Sequence, residues 1–163
     1  MSAIHSFLEP QSYKEACQDP HWIQAMDEEL TALQKTSTWE LVPLPAGKNL
    51  ISCKWVFKVK TNSDGSLERY KARLVAKGFS QEYGIDYEEN FATVAKMTTV
   101  RTLISVAVVR SWLLYQIDVK NVFLNGYLTE EVCMRPPSGL PHSSGQVCRL
   151  RCALYGLKQS SRA

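Results

Sequence analysis

ISCKWVFKVKTNSDGSLERYKARLVAKGF, residues 51 to 79, alternates twice. Ile51, Cys53, Trp55, Phe57 and Val59 take every second position against Ser52, Lys54, Val56, Lys58 and Lys60. After a polar interruption, Tyr70, Ala72, Leu74 and Ala76 do the same against Arg69, Lys71, Arg73, Val75 and Lys77. Successive side chains of a strand point to opposite faces, so each run predicts a strand with one apolar and one basic side. Asp64-Gly65 in the short loop between them is hairpin chemistry. The predicted unit is a two-stranded ribbon that brings both basic faces to one side.

Charge agrees with that reading. The window from Lys48 to Lys77 holds eight basic residues against Asp64 and Glu68, a balance of +6 in a chain whose net charge is +3, so the remainder sums to −3. Segregation of this kind points to a local anionic partner, with phosphates the natural candidate.

Upstream, Ser12 and Glu15 in SYKEACQ fit a capping box for a short helix, and Asp19-Pro20 supplies an N-cap followed by proline at the first helical position. A helix over about 20 to 35 follows, its apolar residues Trp22, Met26, Leu30 and Leu33 stepping by four, four and three. TWELVPLPAGK reads as a short strand ended by Pro43, Pro45 and Gly47. Downstream, a polar acidic loop through QEYGIDYEENF leads to MTTVRTLISVAVVRSW. That segment predicts a helix capped by Thr98 or Thr99 and buried on most sides. LLYQIDV reads as a strand, KNVFLNG as a helical turn closed by Asn125-Gly126, EEVCMRPPSG as a strand stopped by Pro136-Pro137, and QVCRLRCAL as a last strand before YGLKQSSRA.

At 163 residues and 45% hydrophobic content, one domain or a piece of a larger one is expected. The longest apolar run, Leu103 to Val109, is too short to span a bilayer, and MSAIHSFLEP lacks the layout of a secretory leader. A soluble, cytoplasmic protein with no membrane partner is the expectation. Five cysteines, at 17, 53, 133, 148 and 152, show no metal-ligand spacing and suit reduced thiols. Cys148 and Cys152 read as small buried side chains.

One carboxylate stands out. Asp118 ends the apolar run Leu113, Leu114, Tyr115, Ile117, and a buried charge without a partner is costly. It implies a hydrogen-bonding task such as capping the next turn, a metal, or a strand end open to solvent.

The motifs DPHWIQAMDEEL, TWELVPLPAGK, CKWVFKVK, DGSLERYKARLVAKGFSQEYGIDYEENFATVAKMTTVR, QIDVKNVFLNG, EEVCMRPPSG and ALYGLKQSSRA together closely resemble the reverse transcriptase of Ty1/copia-type retrotransposons. The resemblance covers nearly the whole chain. It implies an α+β fold, the fingers and partial palm of a truncated right-hand polymerase, with about 20 to 110 as fingers, the basic hairpin 51 to 77 within them, and about 111 to 163 as the start of the palm. It also implies RNA or DNA template-primer and dNTP as partners. The chemistry would be in-line attack of a primer 3′-hydroxyl on the α-phosphate, supported by two Mg²⁺ ions.

By the same resemblance Asp118 is a catalytic, metal-binding carboxylate, and the Val119 carbonyl is a further oxygen ligand of the kind hard cations prefer. Phe123 would screen the sugar 2′ position. Lys71 and Arg73 would meet the triphosphate, and Gly156 would allow close backbone approach to the nucleotide. The duller readings are that Phe123 belongs to a core and that the basic ribbon uses lysine to discourage edge pairing.

Departures from the family pattern temper the expected activity. Its aromatic-x-Asp-Asp hairpin lies beyond the Leu-Tyr-Gly-Leu-Lys-Gln motif and is not among these 163 residues, and Glu130 and Glu131 do not resemble metal ligands. One Asp cannot hold two Mg²⁺, so no polymerase activity is expected of these residues alone. Val122 stands for a usual Ala, Thr93 and Ser161 for usual Pro, and Cys152 for a usual Lys. The alternatives are a non-catalytic nucleic-acid-binding remnant and an inert fragment.

Overall fold

The structure, a computed structural model, describes residues 8–84, 87, 95–115 and 126–160. In chain order it contains α1 (Tyr13–Ala16), α2 (Pro20–Lys35), β1 (Trp39–Pro43), β2 (Leu50–Ile51), β3 (Cys53–Thr61), β4 (Leu67–Ala76), a 3₁₀ turn (Gly78–Ser80), α3 (Met97–Val109), β5 (Tyr127–Met134) and β6 (Gln146–Cys152). Helices and sheets are mixed, as an α+β reading requires.

Local chemistry sets the first helices. The Ser12 hydroxyl accepts the Glu15 N–H at 3.2 Å, while the Glu15 carboxylate reaches back to the Gln11 N–H at 2.9 Å. Asp19 caps α2 by accepting from the His21 N–H at 2.9 Å, with Pro20 at the first position where its missing N–H costs nothing.

The strands form two sheets. One has four strands in the order β1-β6-β5-β2, and the other is the β3-β4 ribbon. β6 pairs antiparallel with both β1 and β5, whereas β2 joins β5 in parallel through Leu50↔Cys133 and Ile51↔Met134. The four-stranded sheet therefore takes two strands from each side of the expected boundary near residue 110.

The apolar face of the ribbon is shared between two cores. Near its turn, Phe57 and Ala72 pack on Trp22, Ala25 and Met26 of α2, with Ala16 of α1. Trp22 makes edge contacts to the rings of Phe57 at 5.3 Å and Tyr70 at 4.8 Å, a geometry that aromatic quadrupoles favour. At its base, Leu74 and Ala76 join Ile51, Met134, Cys148, Leu150 and Leu154 in the main core. Trp55 donates from Nε1 to the Ser138 carbonyl at 3.1 Å and ties the ribbon to the loop between β5 and β6.

Four sequence expectations are corrected. Ile51 does not belong to the first strand of the ribbon. The chain leaves the four-stranded sheet at Ile51, whose carbonyl accepts the Arg135 N–H at 2.9 Å, and the ribbon starts at Cys53. Alternation continues smoothly across Ser52, so periodicity alone could not reveal a change of sheet. Second, α3 starts after Lys96 with no side-chain cap, and Thr98 lies inside it, its hydroxyl neither Ncap nor acceptor for an N-terminal N–H. Third, α3 is not buried on most sides: Ala107 is at 1% exposure, but Leu103 is at 61% and Val109 at 84%. An all-round apolar sequence predicts a covered helix, yet cover comes from neighbours, and the described residues supply little. Leu113, Leu114 and Tyr115, read as the start of a strand, are exposed and outside any sheet, and the rest of that reading lies outside the described residues.

Candidate nucleic-acid interface

The register of the ribbon determines its outer face. Val56 lies opposite Arg73, Lys58 opposite Lys71, Lys60 opposite Arg69, and Lys54 opposite Val75. Opposed residues of an antiparallel pair share a face, so Lys54, Lys58, Lys60, Arg69, Lys71 and Arg73 all lie on the side away from the cores. Cross-strand like charges repel, and the two directly opposed cation pairs are a cost that an anion would relieve. Lys71 registers this: partial burial, followed by the charges of Arg73, Arg69 and Lys60, holds its ammonium below the usual lysine range.

Two carboxylates answer part of that charge. Glu9 accepts from Lys58 Nζ at 2.9 Å with one oxygen and from the Val59 N–H at 3.0 Å with the other, and Lys58 holds its carboxyl below the usual range. Glu29 of α2 accepts the Leu74 N–H at 3.3 Å on the open edge of β4. Burial pushes the Glu29 carboxyl up, against the opposing pull of that hydrogen bond and of Arg73 and Lys71. Among the described residues, Lys54, Lys60 and Lys71 make no ion pair, whereas Arg69 meets Glu68 at 3.5 Å.

The hairpin turn is built as its sequence suggests. Gly65 at φ +82° donates to the Asn62 carbonyl at 3.0 Å, and Asp64 accepts from both the Ser66 N–H and its hydroxyl. Those bonds lower the Asp64 carboxyl from its usual range.

At the base of β4 the segment Tyr155-Gly156-Leu157-Lys158-Gln159 docks onto the ribbon. The Ala76 N–H donates to the Tyr155 carbonyl at 2.7 Å, and the Gly78 N–H to the Gly156 carbonyl at 3.2 Å. Gly156 sits at φ +90°, and a Cβ there would overlap the Ala76 carbonyl oxygen and come within 2.7 Å of Val75 Cγ1. The close approach this glycine permits is therefore made to the backbone of β4. Lys158 Nζ bonds the Tyr87 hydroxyl at 3.1 Å and the Gln81 carbonyl at 3.3 Å, so this cation is tied down.

A second charged patch covers the outer face of the four-stranded sheet. Arg149 Nε donates to Glu40 at 2.6 Å, Arg151 lies 3.7 Å from the same carboxylate, and Glu131 lies between Lys48 at 3.0 Å and Arg149 at 3.8 Å. Glu40, Glu131, Arg149 and Arg151 line an open groove of about 680 Å³. Its charges are mutually paired: Arg149 holds the Glu40 carboxyl low, and Glu40 raises the Arg149 guanidinium in turn. Among the described residues no group of three or more His, Cys, Asp or Glu could hold a metal ion. By themselves they do not fit a two-metal site.

The site residues expected from sequence divide accordingly. Lys71 and Arg73 share the outer face of the ribbon, and Gly156 lies at its base. Asp118, Val119 and Phe123 lie outside the described residues, as do Val122, Thr93 and Ser161. Cys152 is buried on β6, like Cys148. Sequence reasoning missed Tyr155, Gln81, Gln159 and Glu29, which act on the ribbon from elsewhere in the chain. The Tyr-Gly-Leu-Lys-Gln motif marked the right turn, but no local spacing links it to β4.

Comparison with known proteins gives the family. The family described as reverse transcriptase (RNA-dependent DNA polymerase) matches residues 36–163. The chain is 50% identical over 158 residues to a retrovirus-related Pol polyprotein from transposon RE2 of Arabidopsis thaliana, covering 95% of this chain and 11% of that protein. It is 48% identical over 159 residues to the corresponding polyprotein from transposon TNT 1-94 of Nicotiana tabacum, covering 94% of this chain and 12% of the relative. An uncharacterized mitochondrial protein of Arabidopsis thaliana, AtMg00820, is 54% identical over 99 residues, 61% of this chain and 58% of its own. No solved structure matches. The chain spans about a tenth of the length of the Pol polyproteins it matches. With a basic ribbon, a docked Tyr-Gly-Leu-Lys-Gln turn and a family match over most of its length, the chain belongs to the reverse transcriptase family, as a fragment of the domain found in Ty1/copia-type Pol polyproteins.

Proposed function

We propose that these residues grip template and nucleotide in an RNA-directed DNA polymerase of right-hand architecture, with about 20 to 110 as fingers and about 111 to 163 opening the palm. Lys71 and Arg73 meet the triphosphate or the template backbone. Asp118 and the Val119 carbonyl are the first oxygen ligands of Mg²⁺, Phe123 screens the sugar, and template-primer and dNTP are the partners. A cytoplasmic setting suits the reduced thiols. The observation that carries the reading is the ribbon register, which unites six cations on one face.

Binding of the chain to an RNA template annealed to a DNA primer, followed by anisotropy across a salt series, tests it. With Lys58 already engaged by Glu9 and Arg69 by Glu68, about four phosphates can be met by the remaining cations of the ribbon. At about 0.7 to 0.9 counterions per phosphate, affinity should fall roughly a hundredfold between 50 and 200 mM salt. Affinity that ignores both salt and the Lys71→Ala/Arg73→Ala double substitution would refute the proposal.

A further inference from the structure

Arg73 does not stand free on the ribbon. Its guanidinium carbon lies 4.3 Å from the centroid of the Tyr155 ring. Among the described residues it is the one cation of the ribbon face held by an aromatic ring, the other such contact being Lys158 over Tyr87. A guanidinium carries its N–H donors in its own plane. With one face against a ring, the in-plane donors remain available while rotation is restricted.

The ring is itself held. Tyr155 and Gly156 are laid along the end of β4 by the backbone bonds from Ala76 and Gly78. Behind them Gln81 Nε2 donates to Gln159 Oε1 at 3.0 Å, and the Lys158 N–H donates to Gln81 Oε1 at 3.0 Å. Both glutamines are buried, so this amide pair is shielded from competing water.

Resting on the nucleic-acid reading of the ribbon, we propose that Tyr155 is a positioning residue: it orients the Arg73 guanidinium for nucleic-acid phosphates, with the Gln81–Gln159 pair latching the turn that carries it. Lys71, which makes no ion pair and no ring contact among the described residues, supplies charge without that orientation.

Binding of the 163-residue chain to fluorescein-labelled oligo(U) RNA at fixed salt tests the proposal. R73A is expected to weaken binding about tenfold, as removal of a charge-assisted contact does. Y155L should weaken it about three- to fivefold, the strength of a partly exposed cation–π contact, while Y155F retains wild-type affinity. In the R73A background, Y155L should change nothing further. Wild-type affinity in Y155L overturns the proposal, and so does an equal loss with and without Arg73, which is what a purely structural role produces. If Y155L fails to melt cooperatively, R73K decides: it keeps the charge without the planar fork, and affinity within about twofold of wild type overturns the proposal. An R73A variant that binds like wild type removes the ribbon reading of Arg73 along with the inference, whereas loss in R73A with none in Y155L removes the inference alone.

Discussion

Gly156→Ala separates two roles for one glycine. At φ +90° an alanine carries the left-handed backbone penalty, about 1–2 kcal/mol. Its Cβ would also overlap the Ala76 carbonyl oxygen and press to 2.7 Å on Val75 Cγ1. The first of these is backbone in a paired strand and cannot swing aside, so overpacking adds about 1–3 kcal/mol. The sum is about 3 kcal/mol, which at roughly 2–4 °C per kcal/mol for a domain of this size lowers Tm by about 6–12 °C. Gly65→Ala is the internal control: φ is +82° and nothing lies within 4 Å, so it carries backbone strain alone, about 2–8 °C. Thermal melts by circular dichroism on both variants measure the difference. A Gly156→Ala variant no less stable than Gly65→Ala would refute the argument that this glycine exists to let the turn touch β4.

Glu29→Gln should raise Tm at pH 7. Burial raises the folded-state value of this carboxyl, so its contribution is present below its unfolded value near 4.5 and is lost as pH rises through the folded value. Gln keeps an acceptor for the Leu74 N–H without the charge, and the advantage should close as pH falls below 4.5. A variant less stable than wild type at pH 7 would refute this. For the thiols, burial pushes Cys148 up to about 12 and Cys53 to about 11, while Cys17 is exposed. Iodoacetamide at pH 7.5 should modify Cys17 and spare Cys148 in the native chain, with all five cysteines modified in denaturant, as read by intact mass. Labelling of Cys148 as fast as Cys17 would show that the main core opens readily.

Features under the control of short-range physics were legible in the residue pattern. Alternation at a period of two decided β3 and β4, Asp64-Gly65 decided their turn, and Asp19-Pro20 with the spacing of Trp22, Met26 and Leu33 decided α2. Each of these rests on dihedral preference and on bonds between residues a few positions apart. The charge of the ribbon was legible for the same reason, since opposed positions in a hairpin follow from its turn.

Other features depend on groups brought together from distant parts of the chain. Ile51 and Cys53 read as one strand, but burial of Ile51 between β5 and the main core sends them to different sheets. The composition of α3 predicts burial, but cover is a property of its surroundings. Arg73 and Tyr155, like Gln81 and Gln159, meet because the turn after β6 returns to the end of β4. No pattern in either segment encodes the other. Such contacts arise when apolar faces from both halves of the chain are buried together, and the polar groups carried along must then find partners where the packing leaves them.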